Sequence, residues 1–212
     1  MARVRRNEEE RKELLQSKYL IAAEGKVNVK EIFKNNNPIK IEIGMGRGTF
    51  VYGMALQYPD INFIGIDVVP EVIYEGIMRM EKKGGVPDNV RFLWLNAENI
   101  DDVFEKEVVD GIYLNLSDPW PKKRHSKRRL THENFLKRYE YILKDKGMIE
   151  FKTDGRDFFE FSLNEFARLD WKLSNISLDL YQNLPSDNVA TEYEQKFVKL
   201  GLPIYKLIAQ KR

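Results

Sequence analysis

Short apolar runs alternate with helix-spaced segments along this chain, and this alternation restricts its fold more than any other feature. The runs are rich in Ile, Val and Phe and occupy Ile39–Ile43, Ile61–Ile66, Val90–Leu95, Val109–Leu116 and Met148–Thr153. Between them, apolar residues recur at helical spacing over Phe50–Tyr58, Glu71–Glu81 and His132–Leu143. Strands buried on both faces and joined by helices predict an α/β fold with a doubly wound, mostly parallel sheet. Ligands of such sheets bind at the carboxyl ends of the strands.

The C-terminal segment has a different pattern. It predicts a strand at Lys172–Leu180, a polar loop at Gln182–Ala190, a short helix at Glu192–Leu200 and a last strand at Ile204–Ala209. An antiparallel pair of strands that closes one edge of the sheet fits this ending. Residues 1–30 are expected to form a basic arm and a leading helix, and residues 31–212 a single domain.

Composition excludes several classes of protein. The 212 residues are 42% hydrophobic, which is enough for one compact domain with a buried core. The chain has no apolar run of the ~18 residues that a membrane span needs, and its N-terminus lacks the apolar stretch of a secretory signal. Zero cysteines and two histidines, His125 and His132, are too few for the common zinc sites. We therefore expect a cytoplasmic protein without a metal.

A glycine-rich sequence follows the first strand and leads directly into a helix: Glu42-Ile43-Gly44-Met45-Gly46-Arg47-Gly48. Glycines such as Gly44 and Gly46 allow the backbone to pass close to a bound nucleotide-like ligand. Nineteen residues after Gly48, the second strand ends at Asp67, whose carboxylate can accept hydrogen bonds from both hydroxyls of a ribose. Together these residues predict a nucleoside cofactor.

Glu42 discriminates between two cofactors of this kind. A nicotinamide dinucleotide would place a pyrophosphate here, with Gly or Ala at position 49, whereas this chain has Thr49. A carboxylate repels a pyrophosphate and attracts the sulfonium and amino groups of S-adenosylmethionine. The sequence therefore favours S-adenosylmethionine, with a tight turn that binds no ligand as the alternative for the glycines alone.

Asn96 ends the third strand on the same rim as these residues. It is placed to reach an adenine edge, or equally to cap the helix that follows. Both interpretations remain open.

A basic segment follows the fourth strand: Leu116-Ser117-Asp118-Pro119-Trp120-Pro121-Lys122-Lys123-Arg124-His125-Ser126-Lys127-Arg128-Arg129. Six of its last eight residues are Lys or Arg, although the net charge of the chain is only +2. This density suits a polyanion and predicts RNA contacts by Lys123, Arg124, Lys127, Arg128 and Arg129. A solvated charge run is the alternative, but it does not explain why the run adjoins a stiff turn at the rim of the site. For Trp120, stacking on a base and filling the core both remain open.

The chain resembles the bacterial tRNA (guanine-N7-)-methyltransferases over nearly its whole length. The motifs that carry the resemblance are Glu42–Gly48, Ser117–His125, Phe151–Asp154 and Thr191–Glu194. The sequence from Asp118 to His125 is highly specific to that family, whereas class I methyltransferases in general share the glycine loop in some form.

The resemblance implies a Rossmann-like methyltransferase fold and methylation of the guanine at position 46 in the tRNA variable loop. The residues implied to bind S-adenosylmethionine are Glu42, Asp67, Asn96 and Asp118. Those implied to meet the substrate are Lys122, Asp154, Thr191, Glu192, Tyr193 and Glu194. Asp67 stands where many relatives have Glu, which preserves the carboxylate. Relatives include both monomers and homodimers.

Asp118 is the expected catalytic residue. Guanine N7 has a lone pair and no hydrogen, so methylation needs no base; it needs alignment and stabilisation of the charge that appears on the ring. We expect Asp118 to orient the guanine, with Asp154 and Glu194 assisting. From the residues alone, Asp154 also fits a helix cap, and Glu192 and Glu194 fit a solvated first turn capped by Thr191.

Three other classes of protein remain as alternatives. Thr49 and Glu42 disfavour a nicotinamide-dependent oxidoreductase. A non-catalytic RNA-binding protein would not need Glu42, Asp67 and Asp118 together. A DNA amino-methyltransferase would have Pro where this chain has Trp120.

Overall fold

A computed structural model, which describes residues 7–23 and 25–212, contains a seven-stranded sheet. The strands are β1 (Ile39–Ile43), β2 (Asn62–Asp67), β3 (Val90–Trp94), β4 (Val109–Asn115), β5 (Leu143–Thr153), β6 (Lys172–Ser177) and β7 (Tyr205–Gln210). They lie in the order β3-β2-β1-β4-β5-β7-β6, and β7 is antiparallel to both of its neighbours while the other pairs are parallel. The predicted α/β fold with an antiparallel C-terminal pair is confirmed, and the strand order reverses between β1 and β4.

Helices cover both faces of the sheet. They are α1 (Glu8–Leu15), α2 (Val29–Phe33), α3 (Thr49–Gln57), α4 (Pro70–Glu81), α5 (Ile100–Val103), α6 (Glu133–Ile142), α7 (Arg156–Arg168) and α8 (Glu192–Lys199). Short 3₁₀ helices occupy Ala97–Asn99, Lys123–Arg128 and Leu180–Asn183. Within the part of the chain that the structure describes, none of these helices has the length and apolar character of a membrane span.

Side chains on successive strand residues enter two separate cores. Ile41 of β1 and Ile64 of β2 pack on the face covered by α6 and α7. Phe63 of β2 and Phe92 of β3 pack on the opposite face, against α3 and α4. Because both faces are buried, the strands are continuously apolar instead of alternating.

Two strand boundaries differ by more than one residue from those predicted. β5 begins at Leu143, five residues before the expected Met148, because Leu143 pairs with Val109 across a register shift. β6 ends at Ser177, before the expected Leu180, since the Asp179 side chain caps a 3₁₀ helix that starts there.

The N-terminal segment packs along β3 and α4. Leu14 of α1 is fully buried, and Leu20 forms a bridge with Phe92 of the edge strand. The guanidinium of Arg11 lies 4.3 Å from the centre of the Trp94 ring. The basic residues 3–6 lie outside the described residues, and the boundary after residue 30 remains a prediction.

Candidate active site

The loop between β1 and α3 is fixed by its backbone. Gly44, Gly46 and Gly48 have φ angles of +79°, +54° and +70°, a region that L side chains rarely adopt. The backbone N–H groups of Gly44 and Met45 donate to the carbonyl of Ile66 at 2.8 and 3.0 Å. The loop is thereby attached to the carboxyl end of β2.

Gly76, a residue that the motif analysis overlooked, allows α4 to press on this loop. A Cβ at Gly76 would lie 2.9 Å from the carbonyl oxygen of Arg47. The only sequence signal was an isolated glycine within a helical pattern, which often marks close packing.

Asp67 connects β2 to the same loop. Its Oδ2 accepts from Gly46 N and its Oδ1 from Val69 N, each at 3.0 Å. Burial raises the pKa of Asp67, the backbone donors oppose this, and the negative charge of Asp118 raises it further. A carboxylate has about four acceptor positions, so two remain for a ribose.

Glu42 lies below this rim and is only 3% exposed. Asn115 at the end of β4 donates through Nδ2 to Glu42 Oε1 at 2.9 Å. Burial raises the pKa of Glu42 to about 8, with a smaller contribution in the same direction from Asp67. Glu42 is therefore largely neutral at pH 7 in the absence of a cationic ligand.

Three buried side-chain oxygens near the carboxyl ends of β1 and β4, all able to accept hydrogen bonds once Glu42 is ionised, have no hydrogen-bond partner among the described residues. They are Glu42 Oε2, Asn115 Oδ1 and Ser117 Oγ. Unsatisfied buried acceptors cost free energy, so their presence indicates a ligand with donors. The ammonium group at the methionine end of S-adenosylmethionine has three N–H donors and a positive charge, and these residues fit it.

The loop after β4 carries Asp118, which is exposed at the carboxyl end of the sheet. On either side of it, Leu116 and Trp120 have φ angles of +50° and +42°. Trp120 does not fill the core: its ring contacts the guanidinium of Arg128 at 4.9 Å and the His125 ring at 5.9 Å. The loop ends in a 3₁₀ helix, and two side chains of that helix contact the Trp120 ring.

Glu194 is enclosed at the start of α8. It is 0% exposed, and Thr191 caps the helix by accepting from Glu194 N at 3.0 Å. The Glu194 carboxylate accepts from Tyr181 Oη at 3.0 Å and from Lys152 Nζ, itself 1% exposed, at 3.3 Å. In this conformation Glu194 holds the start of α8 onto β5 through Lys152 and has no exposed surface of its own.

Glu192 connects the same segment to α3 and α4. Its Oε1 accepts from Arg79 Nη1 of α4 at 2.6 Å and from Thr49 Oγ1 of α3 at 3.3 Å. Tyr193 is 44% exposed and stacks on Phe197. Glu192 thus connects the start of α8 to the first residue of α3 and to α4.

A family model described as a putative methyltransferase matches residues 36–207. The tRNA (guanine-N(7)-)-methyltransferase of Lysinibacillus sphaericus is 53% identical over 186 residues, which cover 87% of this chain and 85% of that protein. The enzyme of the same name from Bacillus subtilis is 49% identical over 175 residues, covering 82% and 81% of the two chains. The chain belongs to the bacterial tRNA (guanine-N7-)-methyltransferase family.

Solved structures share the fold of this methyltransferase at low sequence identity. The 16S rRNA methyltransferase KamB has a TM-score of 0.64 and 13% identity, covering 86% of this chain and 91% of its own. A 16S rRNA (adenine(1408)-N(1))-methyltransferase from Catenulisporales acidiphilia has a TM-score of 0.60 and 16% identity, covering 84% and 89%. These neighbours establish a Rossmann-like methyltransferase fold.

The methyltransferase brings most of the predicted site residues to one edge of the sheet. Glu42 lies near the end of β1, Asp67 ends β2, Asp118 follows β4 and Asp154 follows β5, and these four strands are neighbours in the sheet. Asn96 accepts from Glu98 N at 3.1 Å, so the capping interaction is present and its contact with adenine remains a prediction.

Arg129 departs from the predicted RNA contacts of the basic run. It is 8% exposed and donates to the carbonyl oxygens of Pro119 and Trp120. The other basic residues of the run are exposed: Lys122, Lys123, Arg124, Lys127 and Arg128.

Proposed function

We propose that this chain transfers the methyl group of S-adenosylmethionine to N7 of the guanine at position 46 in the variable loop of tRNA, in the cytoplasm. The proposal rests on one observation, an acidic cleft that lies beside a basic 3₁₀ helix. The charge of Asp67 raises the pKa of Glu42, the charge of Asp118 raises the pKa of Asp67, and none of the three carboxylates forms a salt bridge within the described residues. This acidic cleft suits a cationic cofactor, and an exposed basic 3₁₀ helix suited to RNA adjoins it.

The cofactor would lie across the carboxyl ends of β1, β2 and β4. Glu42 and Asn115 would receive its amino group, the backbone of Gly44 and Gly46 would pass beside it, and Asp67 would accept from the ribose. Ser117 adds a further acceptor, and Asn96 lies on the adenine side. When bound, S-adenosylmethionine supplies an electrophilic methyl group on a positively charged sulfur.

The target guanine would lie on the Asp118 side of the cleft. Its N7 lone pair forms the new bond to carbon as the bond from carbon to sulfur breaks, so the positive charge passes from sulfur to the guanine ring. Asp118 accepts hydrogen bonds from guanine N–H groups, which orients the base, and its negative charge stabilises the charge that develops on the ring. No residue needs to remove a proton before transfer.

The remaining substrate contacts belong to the rim. We expect Lys122, Asp154 and Thr191 to contact the substrate, together with Glu192 and Tyr193 at the start of α8. Glu194 is buried and would support these contacts indirectly, by holding α8 onto β5 through Lys152. Exposed basic side chains would bind phosphates and fix the register of the RNA. They are Lys123, Arg124, Lys127 and Arg128.

The test incubates the purified chain with methyl-labelled S-adenosylmethionine and an unmodified tRNA transcript that has guanine at position 46. We expect label at that nucleotide, as 7-methylguanine, which borohydride and aniline convert into a strand break. A matched transcript with adenine at position 46 should take up no label. Label in that control would reject the position, label on another atom would reject N7, and absence of transfer to any tRNA would reject the function.

A further inference from the structure

Arg129 differs from the other Lys and Arg residues of the Lys122–Arg129 run because its side chain is buried. It is 8% exposed, whereas neighbours such as Lys127 and Arg128 are exposed. A phosphate in solution can reach a side chain only where that side chain is accessible. The guanidinium of Arg129 is therefore not part of the surface that the run offers to a polyanion.

The contacts of Arg129 are all made to its own chain. Nε donates to the Pro119 carbonyl at 2.9 Å and Nη2 to the Trp120 carbonyl at 3.3 Å. The guanidinium carbon lies 4.4 Å from the centre of the Phe161 ring and 5.7 Å from that of Phe158, both on α7. A planar guanidinium can donate at its edge and stack on its face at the same time, and a lysine ammonium cannot.

The loop that Arg129 contacts has an unfavourable backbone conformation. Leu116 and Trp120 have φ angles of +50° and +42°, which cost free energy for residues with a Cβ. At one end the loop is anchored by Leu116 N, which donates to the Lys152 carbonyl at 2.9 Å. At the other end the two carbonyl contacts of Arg129 act directly after Asp118.

We propose that Arg129 is a positioning residue for methyl transfer, which holds Asp118 at the rim by fixing the carbonyls of Pro119 and Trp120. The inference rests on the proposed function, in which Asp118 orients the guanine. Misplacing a catalytic group by about 1 Å lowers the rate by roughly 100-fold. Loss of Arg129 thus acts on the rate of transfer more than on the affinity for tRNA.

The experiment compares Arg129→Lys, which keeps the charge, with Lys127→Ala, which removes an exposed charge from the same 3₁₀ helix. For Arg129→Lys we expect kcat to fall by about 10- to 100-fold, with the tRNA KM and its dependence on salt close to wild type. For Lys127→Ala the loss falls on KM, and the salt dependence flattens by about 0.7 to 0.9 in log–log slope. Lys172→Ala, at the opposite edge of the sheet, is the neutral control.

A second measurement separates positioning from loss of fold and does not depend on activity. Fluorotryptophan labelling gives one resonance for each of the three tryptophans, and Trp120→Phe assigns that of Trp120. Arg129→Lys should shift the Trp120 resonance and leave Trp94 and Trp171 in place, even if the wild type proves inactive on tRNA. An unshifted Trp120 resonance, or a kcat of Arg129→Lys equal to that of wild type, would overturn the proposal.

Discussion

The loops that follow β1 and β4 lie side by side at the point where the strand order reverses, but they are held in different ways. The loop after β1 is fixed by backbone hydrogen bonds from Gly44 and Met45 to β2, at positive φ angles that glycine adopts without strain. The loop after β4 has positive φ angles at Leu116 and Trp120; a backbone hydrogen bond from Leu116 to Lys152 fixes its start, but the side chain of Arg129 fixes its far end.

The difference separates a preformed cofactor site from a substrate site that depends on side chains. Around the first loop, buried acceptors already point to where a cationic ligand would bind, and backbone geometry keeps them there. Around the second loop, the groups that would meet RNA are exposed on a 3₁₀ helix. Substitutions near β1 should therefore change cofactor affinity, and substitutions after β4 should change turnover or RNA affinity.

The largest effect expected is that of Asp118→Asn. The substitution keeps the size of the side chain and removes the charge that would stabilise the positively charged guanine, so kcat should fall by about 100- to 1000-fold. The dissociation constant of S-adenosylmethionine, measured by calorimetry, should change by less than the rate does. Asp102→Asn, at an exposed position of α5, is the matched control. Near-normal turnover of Asp118→Asn would contradict the assignment of turnover to the loop after β4.

Asp67→Ala should give the next largest effect, on the cofactor side. The ribose hydroxyls lose a charged acceptor, which costs about 1.5–3 kcal/mol, or a roughly 10- to 150-fold weaker dissociation constant. Asp67→Asn, which can still accept from Gly46 N, should lie between Asp67→Ala and wild type. Asp60→Ala, in an exposed turn, controls for loss of one negative charge. An unchanged dissociation constant for Asp67→Ala would contradict the assignment.

The same contrast explains how much the sequence predicts. The strands were predictable because burial on both faces gives continuous apolar runs, and the glycine loop because its backbone angles require glycine. The start of β5 at Leu143 and the end of β6 at Ser177 were not, since a register shift and a side-chain cap decide them. A sequence shows that Arg129 is charged but not that it is buried.

Polar residues within strands were the signals that the sequence analysis missed. Asn115 ends β4 as the partner of Lys152 in β5, and both point into the layer that contains Glu42 and Glu194. A buried Lys or Asn needs a polar partner, so these residues marked a polar layer beneath the site. Which acid each would pair with depends on strand register, which local sequence does not determine.

Glu42 offers a test based on pH. Without cofactor the pKa of Glu42 is raised to about 8 by burial, and a cationic ligand binds the ionised form. Between pH 6 and pH 7.5, affinity for S-adenosylmethionine should thus rise by about tenfold per pH unit, and binding at pH 7 should release close to one proton. Calorimetry in buffers of different ionisation enthalpy measures this release, and Glu42→Gln should abolish both effects. A pH-independent wild type would mean that Glu42 is already ionised.

The free energy of unfolding provides an independent check on the same group. Because the pKa of Glu42 is raised in the folded state, its contribution to the free energy of unfolding is constant below pH 4.5. Between pH 4.5 and about pH 8 that contribution falls by about 1.4 kcal/mol per pH unit. Glu42→Gln removes that fall, so the stability difference between variant and wild type without cofactor should grow in favour of the variant as pH rises over this range. Denaturant unfolding at pH 5 and pH 7.5 measures it, and parallel stabilities at the two pH values would contradict the raised pKa.

The smallest effect expected is that of Lys123→Ala combined with Lys127→Ala, two exposed residues of the 3₁₀ helix. Each neutralised phosphate releases counterions, so loss of two contacts should flatten the log–log salt dependence of tRNA binding by about 1.4 to 1.8. Affinity for S-adenosylmethionine should remain that of wild type, since neither side chain borders Glu42 or Asp67. The control variant removes two exposed lysines outside the 3₁₀ helix, Lys30 of α2 and Lys172 of β6, and should keep the wild-type slope. If the two double variants have the same slope, the 3₁₀ helix is only a solvated surface and the tRNA binds elsewhere.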